Sequence, residues 1–154
     1  MTIADKLTEF YKTIDKPGEL PKDVGLLFPF GDDSVLQAIE SFYAKFFTDD
    51  RKRILLLGIN PGRFGGGVTG IPFTDPEKLH TILGIDNNFE RRYELSSTFI
   101  YEMINHLGGP ESFYSRFLIS SVCPLGFVKE GKNLNYYDEK ELQESLESNK
   151  VDNL

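Results

Sequence analysis

The sequence predicts an α/β fold built on a parallel sheet, on three observations. Ile54, Leu55, Leu56 and Leu57 form a short apolar, β-favouring run that Gly58, Asn60, Pro61 and Gly62 stop abruptly, as a buried parallel strand ends at a site. A second run, Phe117 to Val122, is ended by Pro124 and Gly126. Before and between the two lie segments whose apolar residues recur at helical spacing.

In chain order, Ile3, Leu7, Phe10, Tyr11 and Ile14 mark an amphipathic helix that Lys16-Pro17-Gly18 ends. Residues 19–31, with Pro21, Gly25, Pro29 and Gly31, read as an extended loop. Asp32, Asp33 or Ser34 caps a second helix with Val35, Leu36, Ile39, Phe42, Tyr43, Phe46 and Phe47 on its apolar side. Those aromatics read as core and not as a ligand stack. Arg51-Lys52-Arg53 reads as a solvated entry to the first strand, since ligands gather at the opposite end of parallel strands.

Thr74-Asp75-Pro76-Glu77 combines a cap, a proline at the first helical position and an early acid, starting a helix to about Leu83. Residues 86–95 are polar, with Arg91-Arg92 facing either nucleic acid or solvent. Ser96 or Ser97 caps a helix holding Phe99, Ile100, Met103, Ile104 and Leu107, closed by Gly108-Gly109 and restarted by Pro110. Lys129 and Lys132 flank a turn at Gly131, and Asp138 to Leu146 forms a last acidic helix. The domain is expected to span 1–146. Residues 147–154, without an apolar pattern, read as a frayed tail or a point of truncation.

With 154 residues, 40% hydrophobic and 13% aromatic, the chain has the size of one domain with material for a core. No apolar run reaches the roughly 18 residues of a membrane span, and the N-terminus lacks the apolar core of a secretion signal. No membrane partner is expected, and the cytoplasm is the expected compartment. The single cysteine, Cys123, precedes a proline after an apolar strand and reads as a buried small hydrophobe. No metal or cofactor is expected. The net charge of −7 sits awkwardly with nucleic-acid binding. The acids cluster at Asp32-Asp33, Asp49-Asp50 and from Asp138 to Asp152, however, which leaves room for a local positive face.

The loop after the first strand carries five glycines between Gly58 and Gly67, each removing a side chain where backbone N–H groups would meet a ligand. It fits neither common phosphate cradle. A Walker loop ends in Gly-Lys-Ser/Thr, whereas Gly65-Gly66-Gly67-Val68-Thr69 has no lysine. A dinucleotide fingerprint opens a helix, which Pro61 and the glycine run resist.

Gly58-Ile59-Asn60-Pro61-Gly62, the Phe64-Gly65 step and Thr69-Gly70-Ile71-Pro72-Phe73 resemble the first motif of the uracil-DNA glycosylase superfamily, in its single-strand-selective monofunctional branch. The resemblance resumes at Gly109-Pro110-Glu111-Ser112-Phe113-Tyr114, Phe117-Leu118, Val122-Cys123-Pro124-Leu125 and Gly131-Lys132-Asn133-Leu134, covering roughly 50–142. It implies a three-layer α/β/α fold around a parallel sheet, and hydrolysis of the N-glycosidic bond of uracil or another deaminated base in DNA. Such a bond breaks through an oxocarbenium-like state, so a water must be held below the sugar and charge stabilised on the leaving base.

By the same resemblance Asn60 positions the water, the Gly62 N–H meets a carbonyl oxygen of the flipped base, and Phe73 stacks on it. The alternative for Phe73 is an aromatic plug at the sheet's end. Arg63 and Phe64 shape the pocket mouth or touch a phosphate, and Lys132 is a further candidate contact. Ser121 stands where the branch has an asparagine that reads the base's Watson–Crick edge, so two-point readout is lost and specificity broadens toward xanthine or hypoxanthine, or a water fills the space.

The family's second catalytic motif, a histidine followed by Pro-Ser, is absent. Only His80 and His106 exist, and each has a structural explanation, the second as a cation at a helix C-terminus. The sheet is expected to stop after its second core strand, its open edge completed by a C-terminal half of the same protein, another polypeptide or a second copy. Three functions remain: a DNA repair glycosylase, a non-catalytic module that binds damaged-base or single-stranded DNA, and a glycosidase acting on nucleosides or tRNA.

Overall fold

The computed structural model describes residues 1–151 of the chain. Helix α1, Ile3–Lys12, starts on a capping box in which Thr2 Oγ1 accepts the Asp5 N–H at 3.1 Å and the Asp5 carboxylate accepts the Thr2 N–H at 2.7 Å. Helix α2, Asp33–Phe46, is capped by Asp32, whose Oδ1 accepts the Ser34 N–H at 2.8 Å. The two helices pack together. The rings of Phe42, Tyr43, Phe47 and Tyr114 interlock at centroid distances between 4.9 and 5.8 Å, so the α2 aromatics are core, as expected.

The first apolar run forms strand β2, Ile54–Gly58, which pairs in parallel with β3, Phe117–Ser121, from Ile54 opposite Phe117 to Gly58 opposite Ser121. Between them lie α3, Gly66–Thr69, α4, Pro76–Thr81, α5, Leu95–His106, and α6, Pro110–Arg116. This is an α/β arrangement with two core parallel strands among the described residues. Leu56 and Ile119 turn to the core. Leu55 and Leu57, which share the other face of β2, are 52% and 58% exposed, and Val122 is 58% exposed, so that face and the outer edge of β2 carry no covering layer among the described residues.

Several expectations are corrected. Residues 19–31 are not all loop: β1, Gly25–Leu27, pairs antiparallel with β4, Gly126–Lys129, which pairs in turn with β5, Lys132–Leu134. A three-residue strand is too short to show alternation. The β4–β5 link is a two-residue turn in which Glu130 and Gly131 both have positive φ, 51° and 72°. The glycine run does form one helical turn, α3, held because Thr69 is fully buried and its hydroxyl donates to the Thr74 carbonyl at 2.7 Å.

Arg53 is no solvated entry. Its side chain is 2% exposed, its Nη1 meets Asp49 at 2.8 Å, and its Nε donates to the Tyr114 carbonyl at 2.6 Å. Helix α5 is capped by neither Ser96 nor Ser97 but starts at Glu94, while Ser97 is buried and its Oγ accepts the Asp75 N–H at 3.1 Å. The last helix, α7, is Lys140–Val151, so residues 147–151 are helical where a tail was expected; the rest of that segment lies outside the described residues. No helix of the described residues is long and apolar enough to cross a membrane.

Candidate active site

Parallel pairing brings the ends of β2 and β3 side by side, and it continues past the strands: Val122 N–H bonds to the Gly58 carbonyl at 2.9 Å and Cys123 N–H to the Ile59 carbonyl at 3.1 Å. The glycine loop therefore leaves β2 directly beside Ser121. A cavity of about 140 Å³ opens there, well above the roughly 10–15 Å³ that holds one water. Asn60, Gly62, Phe73 and Ser121 all line it, together with Glu94 and Asn133. It lies at the C-terminal ends of the parallel strands, where open α/β sheets place their ligands.

Asn60 is held at both ends of its amide. Its Oδ1 accepts the Tyr136 N–H at 2.9 Å, and its Nδ2 donates to the Leu134 carbonyl at 3.2 Å. Since an N–H only donates and a carbonyl only accepts, these partners fix which end of the amide is oxygen. The side chain is thus a brace between the glycine loop and the end of β5 with the residues just after it. One lone pair on Oδ1 is left for a further donor. A second brace lies beside it, where Asn133 Oδ1 accepts the Arg63 N–H at 2.9 Å.

Phe73 stands at φ 55°, in the left-handed region that a bulky side chain enters only when its surroundings impose it. The Thr69–Thr74 turn does so. Thr69 Oγ1 also accepts the Ile71 N–H at 3.1 Å, and the Thr74 hydroxyl meets the buried Tyr101 hydroxyl at 2.7 Å. The Phe73 ring is thereby laid against the backbone of Gly58, where a Cβ would lie 2.6 Å from Cε2. Ser121, opposite Gly58, makes no side-chain hydrogen bond among the described residues, so its hydroxyl is available to the cavity.

Glu94 is the residue that sequence reasoning missed. It comes from the polar 86–95 segment and reaches over the loop, its two carboxyl oxygens lying against Gly62 and Gly65. Partial burial pushes its pKa up from 4.5, the nearby Asp75 adds to the rise, and Lys78 opposes it. Asp75 and Lys78 form a buried pair at 2.8 Å. No motif covers Glu94; the one available signal was a pair of glycines leaving space for it.

The other predicted contacts lie outside the cavity. The Arg63 guanidinium stacks on the Phe64 ring at 4.5 Å, with its Nε buried and unpartnered, and Arg92 approaches the same ring at 5.5 Å. Lys132 is exposed on the β5 hairpin, opposite Lys129. Arg91 is a local brace, donating to the Pro76 carbonyl at 2.9 Å and to Asn87 at 2.6 Å. His80 meets Asp86 at 3.0 Å and His106 the Glu102 carbonyl at 2.8 Å, and neither lines the cavity. Cys123 is partly buried, less than expected. Among the described residues no group of three or more His, Cys, Asp and Glu could hold a metal ion.

An aromatic wall, a glycine floor and an immobilised amide at the tips of parallel strands define an α/β protein whose site suits a flat, polar ring. The family model of the uracil DNA glycosylase superfamily matches residues 44–154, and the chain belongs to that superfamily. The crystal structure of wild-type SMUG2 from Pedobacter heparinus is similar at TM-score 0.89 and 46% identity, over 99% of this chain and 68% of that one. The single-strand selective monofunctional uracil-DNA glycosylase of Rattus norvegicus is 27% identical over 114 residues, 62% of this chain. The chain spans 41% of the length of that curated relative.

Proposed function

We propose that the chain carries the base-excision site of a DNA repair glycosylase, a monofunctional hydrolase acting on uracil or another deaminated base. One observation carries the reading: Asn60, Gly62, Phe73 and Ser121, drawn from two separated stretches of the chain, line a single cavity at the strand tips. Phe73 stacks the flipped base, and the Gly62 N–H faces its carbonyl oxygen. The free lone pair of Asn60 Oδ1 accepts a hydrogen bond from the attacking water and aims its oxygen at the sugar. An amide is too weak a base to deprotonate that water, so the barrier falls mainly through stabilising charge on the departing base. The cytoplasm is the proposed location.

A second reading, a module that binds damaged-base or single-stranded DNA without cleaving it, is favoured by one observation: no histidine lines the cavity. Incubation with a single-stranded oligonucleotide holding one deoxyuridine separates the two. Release of free uracil, lost in Asn60→Ala, supports the glycosylase. Binding without release supports the module, and no preference over a cytosine strand overturns both.

The uncovered face of β2 belongs to the same proposal. Leu55 and Leu57 fit a further strand and layer, supplied by a C-terminal continuation of the chain, with a second copy as the alternative source. Sedimentation distinguishes the two, since a second copy requires a dimer that Leu57→Lys disrupts.

A further inference from the structure

We infer that Glu94 reads the base, its carboxyl meeting the carbonyl and ring N–H that deaminated bases present side by side. This rests on the cavity being a base pocket, as proposed above, and adds the residue that recognises the ligand there.

Glu94 occupies the N-cap position of α5, with φ −121° and ψ 125°, yet makes no capping bond. The residues in the same position of α1, α2 and α4, Thr2, Asp32 and Asp75, all make one. The Glu94 side chain instead crosses to the glycine loop, where its carboxyl oxygens take the space that side chains at positions 62 and 65 would fill. Gly62 and Gly65 thus accommodate the carboxyl as well as any ligand. The carboxyl lines the cavity with Asn60, Phe73 and Ser121 and has no hydrogen-bond partner among the described residues. Its oxygens are left to the cavity, where water or a ligand completes their hydrogen bonds.

The chemistry of the gap matches. Ser121 offers one hydroxyl where two-point reading needs a donor and an acceptor together. A protonated carboxyl carries both, C=O beside O–H, in the arrangement of a primary amide. Its C=O accepts the ring N–H of uracil, hypoxanthine or xanthine, and its O–H donates to the neighbouring carbonyl. The ionised form has acceptors only and repels that carbonyl.

Burial, and after it Asp75, shift Glu94 toward the protonated form, against Lys78. The charged groups bearing on Glu94 are Asp75 and Lys78 at the start of α4, and the Lys78 ammonium is already engaged by Asp75 at 2.8 Å and Thr98 at 3.0 Å. Arg63 and Arg92 lie on the Phe64 ring. The other cavity walls, Asn60, Ser121, Asn133 and Asn135, do not titrate near neutrality.

The test compares wild type, Glu94→Gln and Glu94→Ala for affinity to single strands holding uracil, hypoxanthine, cytosine or a stable abasic analogue, across pH 5 to 8. The wild type prefers the uracil and hypoxanthine strands over the abasic one. Glu94→Gln keeps that preference and Glu94→Ala loses about tenfold of it, the worth of one good two-point contact. The wild-type preference falls as pH rises and that of Glu94→Gln stays flat. Should Glu94→Ala unfold, Glu94→Met, of similar reach without polar atoms, replaces it. Equal preferences in wild type, Glu94→Gln and the apolar variant, or equal losses in the two variants, overturn the role of Glu94 while leaving the base pocket intact. A wild type that does not distinguish uracil from cytosine overturns the pocket itself.

Discussion

The ring of Phe73 lies against the backbone of Gly58, and a Cβ built on Gly58 would come within 2.6 Å of Cε2 and 2.7 Å of Cζ. The last residue of the first core strand must be small because the Phe73 ring rests on it. Strand and site are therefore coupled at one contact.

Gly58→Ala should push the ring off its seat and weaken binding of a uracil strand by about 1–3 kcal/mol, the worth of one base stacked on an aromatic ring. Phe73→Ala should cost a similar amount. The double variant should cost little more than either, because the alanine at 58 no longer meets a ring. Titration of the four proteins with the same labelled strand measures this coupling.

Asn60→Ala should damage both fold and function. It strands the Tyr136 N–H and the Leu134 carbonyl, a loss of about 1–3 kcal/mol in urea unfolding. On the proposed glycosylase reading, excision should fall by roughly 10²–10³-fold, the scale of removing one oriented polar group from such a site. Asn60→Asp keeps the acceptor for Tyr136 but sets a carboxylate against the Leu134 carbonyl, so it should also be less stable than wild type.

Glu94 has a raised pKa in the folded chain, so folding takes up protons there and its ionised form is penalised. That penalty is absent below the unfolded value near 4.5 and grows as pH rises through the folded one. Glu94→Gln should therefore melt at a higher temperature than wild type at pH 7, and the advantage should vanish by about pH 4. Melting curves across that range check the sign.

Asp49 behaves in the opposite way. Arg53, and after it Arg51, hold its carboxyl far below the ordinary 3.8, so its contribution to stability is complete above that value and drains away as pH falls through the depressed one. Asp49→Asn should flatten the acid limb of the unfolding midpoint against pH, and it leaves the nearly buried Arg53 side chain without its anion at neutral pH.

What the sequence made legible follows from how local each signal is. Caps and prolines acted within one turn, so Asp32, Asp75 and Pro110 marked helix starts correctly. The parallel pair was readable from the runs at 54–57 and 117–122, the loop motif supplied Asn60, Gly62 and Phe73, and the end of the second run supplied Ser121. Strand β1 was not readable, because three residues acquire strand character only from β4, a hundred positions away in register. Arg53 looked solvated for the same reason, since its partner carbonyl belongs to Tyr114. Glu94 was invisible because its role depends on glycines that precede it by some thirty positions, across α4.

The most direct test of the base pocket is an amide-resolved NMR titration of the chain with a short single strand holding one deoxyuridine, beside the same strand holding deoxycytidine. Uracil-dependent shifts are expected to concentrate at Gly62, Phe73 and Ser121 and at Tyr136, whose N–H reports on Asn60. Shifts that leave these four amides untouched, or that are the same for both strands, would contradict the base pocket.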